Sequence, residues 1–119
     1  MTTANDWNDV CGIDDLVKNS GVCALVCDKQ VALFTQIANA TNQLSIFATS
    51  NYDPIGDANV LYRGLLGSVA DKTVVASPLY KQRYCLQTGK CLDDPTVKID
   101  TYPAKIVEQR VLVQMASAE

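Results

Sequence analysis

The hydrophobic positions of this chain fall in short runs, separated by polar turn residues. That rhythm predicts strands. Residues 22–27 (VCALVC) are an apolar, β-favouring run; Asp28-Lys29-Gln30 follow as a polar turn, and residues 31–34 (VALF) complete a predicted hairpin. Further strands are expected over 44–50, after a polar loop at 39–43, and over 73–76 and 82–86. Residues 97–102 alternate, as do 104–107 and 111–115 on either side of Glu108-Gln109-Arg110, which predicts a closing hairpin. Gln87-Thr88-Gly89-Lys90 turns the chain, with Gly89 supplying the positive φ that such turns often need. Helical signals are few. Residues 13–19 fit one or two turns stopped by Gly21, and 58–66 fit a short helix or an irregular strand equally. Short, closely spaced strands predict an all-β fold, a small antiparallel sandwich or barrel.

With 119 residues, 48% hydrophobic and 19% charged, the chain suits one globular domain spanning residues 1–119. It has no histidine. That excludes a Ser-His-Asp triad, a Cys–His pair, a His-ligated zinc and a His-held haem, and argues against a self-contained acid–base active site. The five cysteines, at 11, 23, 27, 85 and 91, form no Cys-x-x-Cys pair, and the expectation is that they are small buried side chains. Cys23 and Cys27 would share a core-facing strand face with Leu25. The N-terminal residues carry neither a basic region nor an apolar run, and no stretch approaches the roughly 18 apolar residues of a membrane helix. A cytoplasmic location with reduced thiols and no membrane partner is expected.

Charge is uneven. The net value is −3, yet the segment from 63 to 90 carries five bases against Asp71 alone. Such asymmetry either orients a protein partner or marks solvated strand faces, while the overall acidity argues against nucleic acid.

Two boxes stand out: TSNYDPI at 49–55 and ASPLYKQRY at 76–84, with LYRGLL between them and LQTGKCL after. Together they resemble a Rieske domain whose metal ligands have been replaced. A Rieske centre holds a [2Fe–2S] cluster by two Cys on one iron and two His on the other. The resemblance places its first Cys at Asp53 and first His at Ile55, with Asn51 and Pro54 kept. Its second Cys falls at Ser77 and second His at Tyr80, with Pro78, Tyr84 and Thr88-Gly89 kept and the following glycine replaced by Lys81. Ile55 has no lone pair, and Ser77 and Tyr80 are poor ligands for a sulfide cluster, so no cluster is expected.

The run Ser77-Pro78-Leu79-Tyr80-Lys81-Gln82-Arg83 narrows the resemblance to the small subunit of bacterial assimilatory NAD(P)H-dependent nitrite reductase. It implies a Rieske-like fold with a cluster-loop-like subdomain at about 50–90. It also implies a non-catalytic chain without a cofactor of its own, docked on a large subunit carrying FAD, [4Fe–4S] and sirohaem that reduces nitrite to ammonia. Tyr80, Lys81 and Arg83 are the candidate partner contacts. Alternatively, Ile55 and Tyr80 fill the space of the lost cluster while Lys81 and Arg83 face solvent. Two further readings stay open. One is a thiol or metal protein acting through Cys85 and Cys91, where Lys90 lies beside Cys91; the other is a free-standing β-domain that binds something else.

Overall fold

A computed structural model describes residues 7–37 and 43–115. The polar loop expected at 39–43 lies, except for Gln43, outside the described residues. Among the described residues twelve strands run in chain order: β1 (Trp7–Gly12), β2 (Ser20–Val26), β3 (Lys29–Ile37), β4 (Leu44–Ser50), β5 (Tyr52–Asp53), β6 (Ala58–Asn59), β7 (Leu65–Val69), β8 (Lys72–Ala76), β9 (Arg83–Cys85), β10 (Thr101–Tyr102), β11 (Ala104–Val107) and β12 (Arg110–Gln114). Two single-turn 3-10 helices, Ile13–Asp15 and Leu61–Arg63, are the helical elements among the described residues. The fold is all-β. Its sheets have the orders β1-β12-β11, β10-β4-β3-β2, β5-β6 and β7-β8-β9, with antiparallel neighbours throughout.

Strand β3 organises the interior because both of its faces are apolar. Val31 and Leu33 join Val26, Ala48, Tyr102, Val111, Val113 and Met115 in one core. Ala32 and Phe34 point the other way, into a second core with Leu61, Val75, Tyr84, Leu86, Cys91 and Ile99. The second core underlies the two boxes.

Several expectations need correction. The turn of the first hairpin is Cys27-Asp28, not 28–30: Val26 pairs with Lys29, and both turn residues have positive φ. That is the geometry of a two-residue primed turn, whose twist suits a hairpin. The same device recurs at Ala70-Asp71 and Glu108-Gln109, without a glycine in any of the three. Val22 and Ala24 pack on the first core, so Cys23 and Leu25 face outward, and Leu25 is 71% exposed. Cys23 and Cys27 are exposed and Cys11 half-buried, leaving Cys85 and Cys91 as the buried thiols. Residues 97–102 form a strand only at Thr101–Tyr102, the remainder being held by an isolated bridge between Lys90 and Lys98. Residues 13–19 make a single 3-10 turn, and Gly21 lies inside β2. Residues 58–66 divide into β6, the Leu61–Arg63 turn and the start of β7.

Candidate functional site

The two boxes become two loops side by side. The first follows β4 and is closed by the β5–β6 pair and by the Asp57 N–H donating to the Asp53 carbonyl at 2.7 Å. The second joins β8 to β9 and is closed by the Ser77 N–H donating to Gln82 O and the Lys81 N–H to Ser77 O. The first loop is tied to the body by a buried polar side chain. Asn51 accepts from the Tyr62 N–H at 2.9 Å and donates to Asn59 O and Gln30 Oε1, both at 3.1 Å. It thereby fixes the root of the first loop to the Leu61–Arg63 turn.

Asp53 holds the loops to each other. It is fully buried, and it accepts from the Ser77 hydroxyl at 2.5 Å and the Gln82 amide at 2.7 Å. The Tyr84 hydroxyl donates to it at 3.0 Å, and the N–H groups of Ile55 and Gly56 at 3.0 and 3.1 Å. Burial pushes this carboxyl up. The Ser77 hydroxyl, the Gly56 N–H, the Tyr84 hydroxyl and the Ile55 N–H together outweigh that effect and leave it below its ordinary value. Burial of Tyr84 raises its phenol, so at neutral pH it remains a donor to Asp53. Gly56 completes the closure: a Cβ there would lie 2.4 Å from Leu79 Cδ1 and 2.9 Å from Asp53 Oδ2. The loops meet with no space for a methyl group between them.

Outside this buried network the tips are apolar and exposed: Ile55 is 38% exposed, Leu79 45% and Tyr80 69%. Ile55 is therefore a surface residue rather than filler for an interior space. Lys81 is exposed and adopts φ +67°, the left-handed region that glycine favours, at the position where the Rieske pattern has glycine. Arg83 is held by Asp93, with Nη2 at 2.9 Å from Oδ1 and Nε at 3.2 Å from Oδ2. Neither Gln82 nor Leu79 carries a site signal in the sequence. Gln82 lies inside the diagnostic run, yet nothing in one dimension shows that its amide reaches a carboxylate 29 residues away.

Cys85 and Cys91 do not form a pair. Tyr84 is bridged to Cys91, which places Cys91 on the Tyr84 face and in its core, and alternation sends Cys85 to the opposite face. Burial pushes the Cys85 thiol up, but the hydroxyl and N–H of Thr88, the Gln87 N–H and Lys72 bring it below its ordinary value. Among the described residues, no group of three His, Cys, Asp or Glu side chains is placed to hold a metal ion.

Comparison with known proteins matches residues 6–114 to the model of the Rieske-like [2Fe-2S] domain family. The NADH nitrite reductase small subunit of Escherichia coli strain K12 is 40% identical over 102 residues, covering 86% of this chain and 91% of that one. The chain belongs to the nitrite reductase small-subunit family of Rieske-like domains. The solution structure of the E. coli protein NirD superposes on this small-subunit fold with a TM-score of 0.76, at 38% identity, covering 91% of this chain and 94% of that one. A stretch 35% identical to 90% of this chain also occurs within the Klebsiella oxytoca nitrite reductase [NAD(P)H] large subunit, where it accounts for 11% of that chain.

The [2Fe–2S] group of the wider family does not fit the residues of this small subunit. Two of its ligands are imidazoles, and the chain has no histidine. Asp53 and Ser77 are hydrogen-bonded directly to each other, which leaves no position for an iron between them. No helix among the described residues is long and apolar enough to cross a membrane.

Proposed function

We propose that this chain is the non-catalytic small subunit of an NAD(P)H-dependent nitrite reductase, and that it supports reduction of nitrite to ammonia by docking on a large subunit. The observation that carries this reading is the 40% identity to the E. coli small subunit across nine-tenths of that protein's length. The Klebsiella match adds a physical argument. A similar stretch covalently joined to a large-subunit chain is held at high effective concentration beside it, as a docked subunit would be. FAD, [4Fe–4S] and sirohaem belong to the large subunit in this reading, and the complex works in the cytoplasm. This chain transfers no electrons.

The two loops that carry the vestigial ligand positions Asp53, Ile55, Ser77 and Tyr80 form the end of the molecule presented to the partner; Asp53 and Ser77 lie buried beneath it, and Tyr80, Lys81 and Arg83 are the contacts. Tyr80 supplies exposed aromatic area. Lys81 supplies a cation with no ion pair among the described residues, whereas the charge of Arg83 is already shared with Asp93. Charge reversal at Lys81 is therefore expected to weaken docking more than reversal at Arg83. Co-expression with the large subunit, followed by co-purification and nitrite-dependent NAD(P)H oxidation, tests this. Unchanged co-purification and oxidation in the Lys81→Glu, Arg83→Glu double variant would sink the assignment of the contact face.

A further inference from the structure

We propose that the Asp53–Ser77 hydrogen bond is a positioning clasp: it joins the two loops in place of a metal cluster and presets the Ile55, Leu79 and Tyr80 tips for docking. This inference rests on the docking reading above.

Asp53 is a fully buried carboxylate whose partners are all neutral: two hydroxyls, one amide and two backbone N–H groups. Burying a carboxylate without a cation is costly, and only a complete set of charge-assisted hydrogen bonds offsets that cost. An apolar side chain would stabilise a mere loop root at lower cost. The arrangement does something an apolar residue could not do, which is to fix direction. Oδ1 takes the N–H groups of its own loop together with Gln82 and Tyr84, while Oδ2 takes the Ser77 hydroxyl of the opposite loop. The Ser77 hydroxyl also accepts from the Leu79 N–H at 3.3 Å, so the same atom sets the tip of its own loop. A chain of hydrogen bonds thus runs from the Ile55 N–H through Asp53 and Ser77 to the Leu79 N–H. Both ends are backbone groups of exposed apolar tip residues. Leu79 Cδ1 lies against Gly56, so tip packing follows from the closure. In the Rieske resemblance these same two positions are the ones through which one iron joins the loops.

Ser77→Ala removes the shorter of the two bonds that cross between the loops and leaves Asp53 its other four donors, among them the Gln82 amide of the second loop. The first measurement is amide hydrogen exchange of the free chain. Faster exchange by about tenfold at Ile55, Gly56 and Leu79, with the strand cores unchanged, is expected for the loss of one buried charge-assisted hydrogen bond. The second is titration of the large subunit with this variant. A positioning role raises the apparent Kd about tenfold and leaves the saturating rate of nitrite-dependent NAD(P)H oxidation at the unsubstituted level. Simple partial unfolding would instead change the stoichiometry. Asp53→Asn, whose amide oxygen can keep the Oδ1 donors while its NH2 faces the Ser77 hydroxyl in place of a charged acceptor, is expected to act in the same direction and serves if Ser77→Ala does not fold. Unchanged exchange at the tips, or loosened tips with unchanged affinity, overturns the clasp. Failure of the unsubstituted chain to bind the large subunit overturns the docking reading instead, and the exchange measurement still decides whether the clasp holds the loops.

Discussion

Lys81 shows how one residue can carry two separable properties. Its backbone lies in the left-handed region at φ +67°, which costs an L-residue roughly 1–2 kcal/mol, while its side chain supplies the exposed cation of the second loop. Lys81→Gly relieves the backbone but adds unfolded-state entropy of about 0.5–1 kcal/mol. Stability in urea should therefore change by less than about 1 kcal/mol, while affinity for the large subunit falls. A variant that melts early and binds normally would refute both halves. Asp53 gives a second prediction at this scale. Its folded-state pKa is lowered, so its stabilisation is complete above the unfolded value of about 4 and is lost as pH falls through the folded value. Asp93, held by the side chain and N–H of Arg83, and Asp94, held by the hydroxyl and N–H of Thr96, are lowered too. The test is therefore a difference: between about pH 5 and pH 2 the Asp53→Asn variant should lose stability less steeply than the parent chain. Parallel slopes would refute it.

Turns and strands carry the next level. Three hairpins close on two-residue primed turns built from Cys-Asp, Ala-Asp and Glu-Gln, in which Asp alone tolerates positive φ readily. Replacing Glu108-Gln109 by Asn-Gly is expected to raise the unfolding free energy by about 1 kcal/mol, measured by denaturant melt at constant m-value. Gly89 is the opposite case. It sits at φ +80°, and a Cβ there would lie 2.0 Å from Ile99 O. Gly89→Ala should cost at least about 2 kcal/mol, because backbone strain and a backbone clash add. Gly89 could be foreseen because a turn between two strands signals glycine's conformational freedom. The primed turns could not: nothing about Glu-Gln announces positive φ, and the strand pairing imposes it. Residues 97–102 failed for the converse reason. Their alternation suits a strand, but its pairing is split: Lys98 makes an isolated bridge with Lys90, while Thr101 and Tyr102 lie opposite Thr49 and Ala48.

At the scale of the whole molecule, β3 separates two cores and belongs to both. Phe34 is fully buried in the core beneath the loops, and Leu33 in the opposite one. Truncating either to Ala should cost about 2–5 kcal/mol, and each variant should still unfold in one transition seen alike by far-UV dichroism and Trp7 fluorescence. Separate transitions would show that the cores fold independently. The sequence by itself determined the strand-rich class, most hairpins, the lack of histidine chemistry and the family, because these depend on residue type, period and local order. Tertiary structure alone decided that Asp53 and Ser77 bond to each other, that Cys85 and Cys91 face apart and that Arg83 is held by Asp93. It also decided that Cys23 and Leu25 face solvent. The physical reason is the same in each case: a strand pattern gives alternation but not which face meets the core. Contacts between residues 24 or 29 positions apart arise only when separate strands and loops are packed together.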